Sequence, residues 1–202
     1  PELTLNVPPK FTAYQGFDAL FHSVEGYISK RANLMSDMMS TTAIKYISHN
    51  LPKVVHDGTD LDAREKVAFG SYLSGIVMVV GSTTSQHSLE HAMSAYHQEL
   101  PHGAGLIMLS KAYFKFFIDK HTCDDRFIHM AKLMGKEDAS KPEDFITMLV
   151  KLQEDCGVAG LKMSEYGIRP VEFRTLAKNA MDTMGRLFKN DRTPLSIEEC
   201  IA

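Results

Sequence analysis

Apolar residues recur at intervals of three and four along most of the chain, which is the period of an amphipathic helix. The first apolar face comprises Phe17, Leu20, Phe21, Val24, Tyr27 and Ile28. A second helix is predicted from about Asn33 to Ser48, ending before Pro52, and Asp60 has the position of an N-cap for a long third helix. Glycines and serines in the third helix would let a neighbouring helix approach closely, as in the middle of a bundle.

The same period continues to the end of the chain. Helices are predicted over about 86–98, 104–119 and 124–134, the last closed by Gly135. Ser140 and Glu143 have the spacing of a capping box ahead of another helix, which Gly157 ends. The last two helices are predicted to begin at Pro170 and at Ser196.

Residues 1–10 differ from the rest. Pro1, Pro8 and Pro9 disfavour helix in their neighbourhood, and the alternation of Leu3 and Leu5 predicts a short strand or a linker. No alternating run of useful length follows, so the pattern predicts an all-α multi-helix bundle over 11–202.

Composition narrows the class of protein. The 202 residues are 44% hydrophobic and 23% charged, which excludes disorder, and the net charge of −3 without a basic cluster argues against a nucleic-acid partner. Val67 to Val80, the longest apolar run, is interrupted by glycines and serines and is shorter than the roughly 18 residues of a membrane span, so no membrane partner is expected. Three widely spaced cysteines and no visible signal peptide favour a reducing compartment, and we expect a cytoplasmic protein. The first residue is not Met, and we expect the chain to be part of a longer protein.

Candidate chemistry centres on histidines at helical spacing. Asp18 and His22 are four residues apart on the first helix, and His87 and His91 are four apart on another, so each pair shares one helix face. His102 follows a proline at the predicted start of a further helix. Imidazoles with a carboxylate suit a divalent ion such as iron(II) or zinc. Solvated or capping roles remain the alternative on spacing alone.

Two other functions stay open at this stage. The doublet of His56 and Asp57 is similar to that of helical metal-dependent phosphohydrolases, although its surroundings are typical of a loop. A non-catalytic helical module that binds a partner is the other alternative. Neither a dinucleotide-binding glycine motif nor a phosphate-binding loop occurs in the chain.

Two segments resemble the metal-binding signatures of the iron-containing (group III) alcohol dehydrogenases. The segment 16–27, GFDALFHSVEGY, is similar to the first ligand helix of that family. The segments 87–96, HSLEHAMSAY, and 100–106, LPHGAGL, are similar to its second signature. The order and the separation match, and the similarity extends over the whole chain.

The resemblance implies both fold and ligands. The chain would be the helical C-terminal half of the dehydroquinate synthase-like fold, with 1–10 as the connection from a missing N-terminal nucleotide-binding domain and 11–202 as the metal-binding catalytic domain. The implied ligands of a divalent metal, iron(II) or alternatively zinc, are Asp18, His22, His87 and His102. His91 would lie beside the metal as a proton-relay or positioning residue.

The resemblance also implies a reaction. The complete enzyme would use NAD or NADP to oxidise small primary alcohols, or to reduce the aldehydes, by hydride transfer from an alkoxide that the metal stabilises. The chain alone would be inactive because the nucleotide-binding residues lie in the missing half. Members of the family often dimerise, so a homodimer is among the expected assemblies.

Overall fold

The computed structural model describes all residues from 1 to 202 and contains no strand, which confirms the all-α prediction. Its nine α-helices are α1 Pro9–Ile28, α2 Leu34–His56, α3 Leu61–Val80, α4 Ser85–Tyr96, α5 His102–Asp119, α6 Asp124–Leu133, α7 Glu143–Asp155, α8 Phe173–Phe188 and α9 Ile197–Ile201. Short 3-10 helices span Glu2–Thr4, Met163–Tyr166 and Pro170–Glu172. No single helix has the length and apolarity to cross a membrane, and α3 with α4 meets that test only as a pair bent by 103°.

The N-terminal residues do not form the short strand that was one of the two predictions for them. Glu2–Thr4 is a 3-10 helix, in which Thr4 donates from both N and Oγ1 to the carbonyl of Pro1, and Leu3 is exposed. A strand needs a partner to hydrogen-bond its backbone, and this all-helical domain offers none. Helix α1 begins at Pro9, where the missing N–H of proline leaves no helical hydrogen bond unmade.

Helix α1 is central to the fold, in contact with α2, α3 and α5. The apolar face predicted for it is buried throughout. Its Phe21 ring lies 5.9 Å from Phe114 of α5, which lies 5.4 Å from Phe145 of α7. The ring of Phe127 in α6 also lies 5.4 Å from Phe145, so tilted and edge-to-face aromatic contacts join four helices at the core.

Helix α2 runs past the predicted end before Pro52. The side chain of Asn33 caps its first turn, as the predicted start requires, but the helix continues to His56. Pro52 removes one helical hydrogen bond, yet Leu51 and Val54 on either side of it are buried in the core. Their burial outweighs the local preference of proline to end a helix.

Helix α3 begins at its predicted cap, where Asp60 accepts from the N–H of Ala63, but it lies at the edge of the bundle rather than in the middle. Neighbouring helices approach α3 closely on one of its faces only. A Cβ on Gly70 would lie 2.6 Å from the side chain of Ile47, and Ser74 hydrogen-bonds Ser23 at 2.8 Å. The other face is open, with Val79 83% exposed.

The later helices follow the prediction closely, with one exception. Gly135 and Gly157 adopt positive φ angles of 109° and 69° just after α6 and α7, as expected for residues that end helices. Before α7 the predicted capping box of Ser140 and Glu143 does not form. Asp144 instead accepts from the backbone N–H groups of Ser140 and the next residue.

Helix α8 packs against α4, and the hydroxyl of Ser88 in α4 donates to the carbonyl of Ala180 at 2.9 Å. Before α8, Pro170 opens a 3-10 turn that leads directly into the helix. At the end of the chain, Ser196 and Glu199 form the predicted capping box of α9.

Candidate metal centre

Three imidazoles converge on one carboxylate oxygen. The Oδ1 atom of Asp18 lies 3.3 Å from Nε2 of His87, 3.4 Å from Nε2 of His102 and 3.5 Å from Nδ1 of His22. The rings of His22 and His87 stack with centroids 4.3 Å apart. Asp18, His22 and His87 form a cluster whose candidate ligand atoms all lie within 4.8 Å of one another, and His102 joins it through its contact with Asp18.

Three helices bring these side chains together. Asp18 and His22 lie one turn apart on α1, His87 lies in the first turn of α4, and His102 is the first residue of α5. The start of α5 rests directly on the backbone of α1, because a Cβ on Gly103 would lie only 2.2 Å from the carbonyl oxygen of Tyr14. Glycine at this position lets His102 reach Asp18.

Two buried glutamates contact the rings of His87 and His102 at the nitrogen remote from Asp18. Oε1 of Glu25 lies 2.5 Å from Nδ1 of His87, and Oε2 of Glu90 contacts Nδ1 of His102. Both glutamate side chains are fully buried. A carboxylate on the remote nitrogen orients an imidazole and leaves its other nitrogen to bind a metal.

Glu25 and Glu90 were not among the predicted site residues. A signal was present, since Glu25 follows Asp18 by seven residues on one face of α1 and Glu90 follows His87 by three on α4. Glutamate is rarely buried, so spacing alone did not distinguish these two from solvent-exposed side chains.

Neighbouring carboxylates raise the pKa of two of the imidazoles. Burial opposes the charge on His87, but Glu25 and Asp18 outweigh burial and raise its pKa to about 10. Burial likewise opposes the charge on His102, whose pKa Asp18 and Glu90 raise to about 9. Burial disfavours the Asp18 carboxylate, but hydrogen bonds from these two rings lower its pKa.

The pKa values of His22 and His91 are lowered rather than raised. Burial and the neighbouring charge of His87 lower the pKa of His22 to about 4, so its ring is neutral near pH 7. Partial burial and the charge of His102 lower the pKa of His91 as well. The ring of His91 lies 5.1 Å from that of His102, outside the group around Asp18, and is solvent-exposed.

The donor set fits a borderline divalent ion. Three imidazole nitrogens and one carboxylate oxygen are ligands that iron(II) and zinc both accept. Two ligands of a tetrahedral site, each about 2.1 Å from the ion, are about 3.4 Å apart, close to the separations between Asp18 and the three rings. A cleft of about 350 Å³ between α1 and α3 gives access from solvent; Gln15, His22, Ser71 and Met78 line it.

The doublet of His56 and Asp57 takes no part in this arrangement. His56 ends α2 and hydrogen-bonds the carbonyl of Asp155 at 2.9 Å, while Asp57 accepts from Thr59 in its own turn. Two clusters of side chains have metal-ligand separations, one of Asp18, His22 and His87 and one of Glu90, His91 and His102. Neither residue of the doublet belongs to them. The geometry gives no support to the phosphohydrolase alternative.

Comparison with solved structures places the fold among alcohol dehydrogenases. A 1,3-propanediol oxidoreductase superposes with a TM-score of 0.91 at 27% identity, over 100% of this chain and 52% of that one. An alcohol dehydrogenase from Oenococcus oeni gives 0.89 at 25% identity, over 98% of this chain and 51% of that one.

Sequence comparison gives the same result. The NAD-dependent methanol dehydrogenase of Bacillus methanolicus is 30% identical over 187 residues, 90% of this chain and 48% of the relative. The 1,3-propanediol dehydrogenase of Klebsiella pneumoniae is 30% identical over 95% of this chain and 50% of the relative. The chain thus spans about half the length of the curated relatives it matches. Residues 12–199 match the family described as "Fe-containing alcohol dehydrogenase family, C-terminal", and the chain belongs to that family.

Proposed function

We propose that this chain is the metal-binding catalytic domain of an NAD(P)-linked alcohol dehydrogenase that acts on small primary alcohols or the aldehydes. The observation that carries the proposal is the convergence of His22, His87 and His102 on Asp18. With three neutral imidazoles and one carboxylate as ligands, a divalent ion would keep one net positive charge and could take a substrate oxygen as a fifth ligand. Iron(II) is the proposed ion, with zinc as the alternative.

The residues of this chain would prepare the site for that ion. The ion would be held by Asp18, His22, His87 and His102. Glu25 would orient the ring of His87, and Glu90 would orient the ring of His102. A bound divalent ion supplies a Lewis acid for an alcohol or carbonyl oxygen. The fully buried carboxylates are fixed before any ligand arrives.

His91 is the proposed proton-relay or positioning residue. It shares a face of α4 with His87, one turn further along, and its exposed ring lies 5.1 Å from that of His102. Its lowered pKa favours the neutral ring, which can accept a proton from a substrate hydroxyl.

The cofactor and the substrate rest on the relatives. The names of two relatives, an NAD-dependent methanol dehydrogenase and a 1,3-propanediol dehydrogenase, support NAD(P) and a small primary alcohol. Both are about twice as long as this chain, so we place the nucleotide in an N-terminal domain, with residues 1–10 as the connection to it. The 202-residue chain alone is then expected to bind dinucleotide poorly and to be inactive.

Assembly and compartment are also part of the proposal. The family tendency to dimerise supports a homodimer of the complete enzyme. Cys123, Cys156 and Cys200 are all unpaired, as is typical of proteins in a reducing compartment, and this supports the cytoplasm.

The decisive experiment is elemental analysis of the chain purified without chelator, beside the variants His87→Ala and His56→Ala. We expect about one equivalent of iron or zinc in the wild type and in His56→Ala, and none in His87→Ala. Full occupancy in His87→Ala would refute the proposed site. Loss of the metal in His56→Ala alone would favour the phosphohydrolase alternative. A wild type that holds no metal and takes up no added iron(II) would leave the non-catalytic module as the better hypothesis.

A further inference from the structure

A buried chain of polar groups continues behind Glu25, away from the candidate metal centre. Oε2 of Glu25 accepts from both N and Oγ1 of Thr84, each at 2.8 Å. The hydroxyl of Tyr113 lies 2.9 Å from that Oγ1 and 3.1 Å from Oδ1 of Asp191. The side chains of Glu25, Thr84 and Tyr113 thus link His87 to Asp191, more than a hundred positions away in the sequence.

The same groups determine how α4 begins. Thr84 is the N-cap residue of α4, but its hydroxyl points to Glu25 and does not cap the helix. Asp191 supplies the missing acceptor, since its Oδ1 accepts from the N–H of Ser85 at 3.1 Å. Asp191 therefore fixes the helix turn that carries His87.

The neighbours of Asp191 attach the same segment to α1. Asn190 accepts from the N–H of Lys30 just after α1 and donates to the carbonyl of Thr83 just before α4. Arg192 donates to the carbonyl of Ile28, the last residue of α1. Residues 190–192 thus hold the end of α1 and the start of α4 together, the two helices that supply Asp18 and His87.

We propose that Tyr113 and Asp191 are positioning residues for the metal ligand His87, acting through Thr84 and Glu25. They hold the Thr84 hydroxyl and the start of α4, Thr84 holds the Glu25 carboxylate, and Glu25 holds the ring of His87 with Nε2 directed at Asp18. The inference rests on the proposed metal site and assigns residues beyond those that touch the ligands.

Burial explains why these contacts govern the geometry. Glu25 is 0% exposed, Asp191 1% and Tyr113 5%, so water does not replace a lost partner. Removing one hydroxyl leaves a buried acceptor unpaired, and the neighbours move to satisfy it. Burial and the nearby Asp191 raise the pKa of Tyr113 well above its usual value, so its phenol stays protonated and available as a donor.

The test uses Co(II) as the probe, with affinity measured by chelator competition and ligand geometry by the visible absorption band. We expect Tyr113→Phe to bind Co(II) about tenfold more weakly, with an altered band, because removal of an outer partner typically costs 10- to 100-fold in affinity. The matched control is Tyr27→Phe. It removes a hydroxyl on α1 that hydrogen-bonds Nδ1 of His129 at 2.8 Å and is not part of this chain of groups. It should keep the wild-type affinity and band.

At two positions, a conservative variant is paired with one that removes the polar group. These pairs distinguish the positioning of His87 from a general loss of folding. Thr84→Ser and Asp191→Asn keep the hydroxyl and the acceptor oxygen, so we expect wild-type affinity and band. Thr84→Val and Asp191→Ala remove them and should behave like Tyr113→Phe. The melting temperature of each metal-free variant reports folding independently.

The outcomes are distinct. Wild-type affinity and an unchanged band in Tyr113→Phe or in Thr84→Val would overturn this inference while leaving the proposed metal site intact. Equal weakening in Thr84→Ser and Thr84→Val would overturn it too, because the hydroxyl would then not be the group that matters. A wild-type chain that takes up no Co(II) would overturn the proposed function itself, and this inference with it.

Discussion

Nδ1 of His87 lies 2.5 Å from the carboxylate of Glu25, on the far side of the ring from the group that converges on Asp18. Glu25 accepts this N–H and so leaves Nε2 as the metal-binding atom. We predict that Glu25→Gln weakens metal binding by 10- to 100-fold, or about 1.4 to 2.8 kcal/mol. The amide also places a donor where Thr84 already donates.

Chelator competition at pH 7 measures this effect. Glu154→Gln is the matched control, since Glu154 is exposed on α7 and the substitution removes the same charge. Equal affinities in the two variants would show that Glu25 does not orient His87.

Metal binding should release protons. His87 and His102 each lie between two carboxylates, and their pKa values are raised to about 10 and about 9, so both are protonated at pH 7 without metal. A metal needs the neutral ring, so binding near pH 7 should expel about two protons. The apparent affinity should rise with pH and level off only above about pH 9 to 10.

Calorimetric titration of metal into the chain, in two buffers of different ionisation enthalpy, counts the protons. The variant Glu90→Gln is the internal comparison. It keeps all four proposed ligands but removes one carboxylate that raises the pKa of His102, so it should release fewer protons near pH 7. A heat of binding that does not depend on the buffer would contradict the prediction.

The sequence predicted the helices because their apolar faces repeat locally, as on α1, where every residue of the predicted face is buried. The five proposed site residues were identified through motif similarity, and Asp18 and His22 would share a face on any regular helix. Predictions from local patterns were wrong where tertiary contacts determine where a helix ends. Helix α2 continues through Pro52 because residues on both sides of it are buried in the core.

The residues that contact the ligand side chains from behind could not be predicted from sequence, because their burial depends on segments distant in the chain. Glu25 and Glu90 look like ordinary surface glutamates until the packing of α1, α4 and α5 buries them. The contact of Asp191 with Ser85 joins positions 106 residues apart, and no short-range pattern encodes it. Spacing finds side chains on one helix face, while partners from distant segments require the folded structure.

Gly103 should tolerate no side chain. A Cβ at this position would lie 2.2 Å from the carbonyl oxygen of Tyr14, a backbone atom that cannot rotate away. We predict that Gly103→Ala separates α5 from α1, destabilises the fold by several kcal/mol and moves His102 away from Asp18. Chemical denaturation gives the free energy of unfolding, and elemental analysis gives the metal content.

Gly75→Ala is the control for the intrinsic effect of the substitution. Gly75 lies within α3, and a Cβ there would meet no atom within 4 Å. Alanine should therefore stabilise the helix by about 0.5 to 1 kcal/mol. If Gly103→Ala were as stable as Gly75→Ala, the proposed contact between α5 and α1 would be wrong.

Asp191 should make the fold less stable as the pH rises. Burial raises its pKa to about 7, from 3.8 in a solvated carboxyl group, and the charge of Glu25 adds to the effect. The folded chain therefore holds a proton between about pH 4 and 7 that the unfolded chain loses. The contribution to stability is complete below about pH 4 and is lost as the pH approaches 7, by up to about 4 kcal/mol.

Asp191→Asn isolates this effect because asparagine keeps the acceptor for Ser85 and cannot ionise. We predict that the free energy of unfolding of the wild type, measured with denaturant from pH 4 to 8, falls relative to that of Asp191→Asn and that the difference is constant above about pH 8. Other titrating groups are common to both proteins and cancel in the difference. A difference that does not change with pH would mean that Asp191 ionises normally, and that the buried chain of polar groups accommodates its charge.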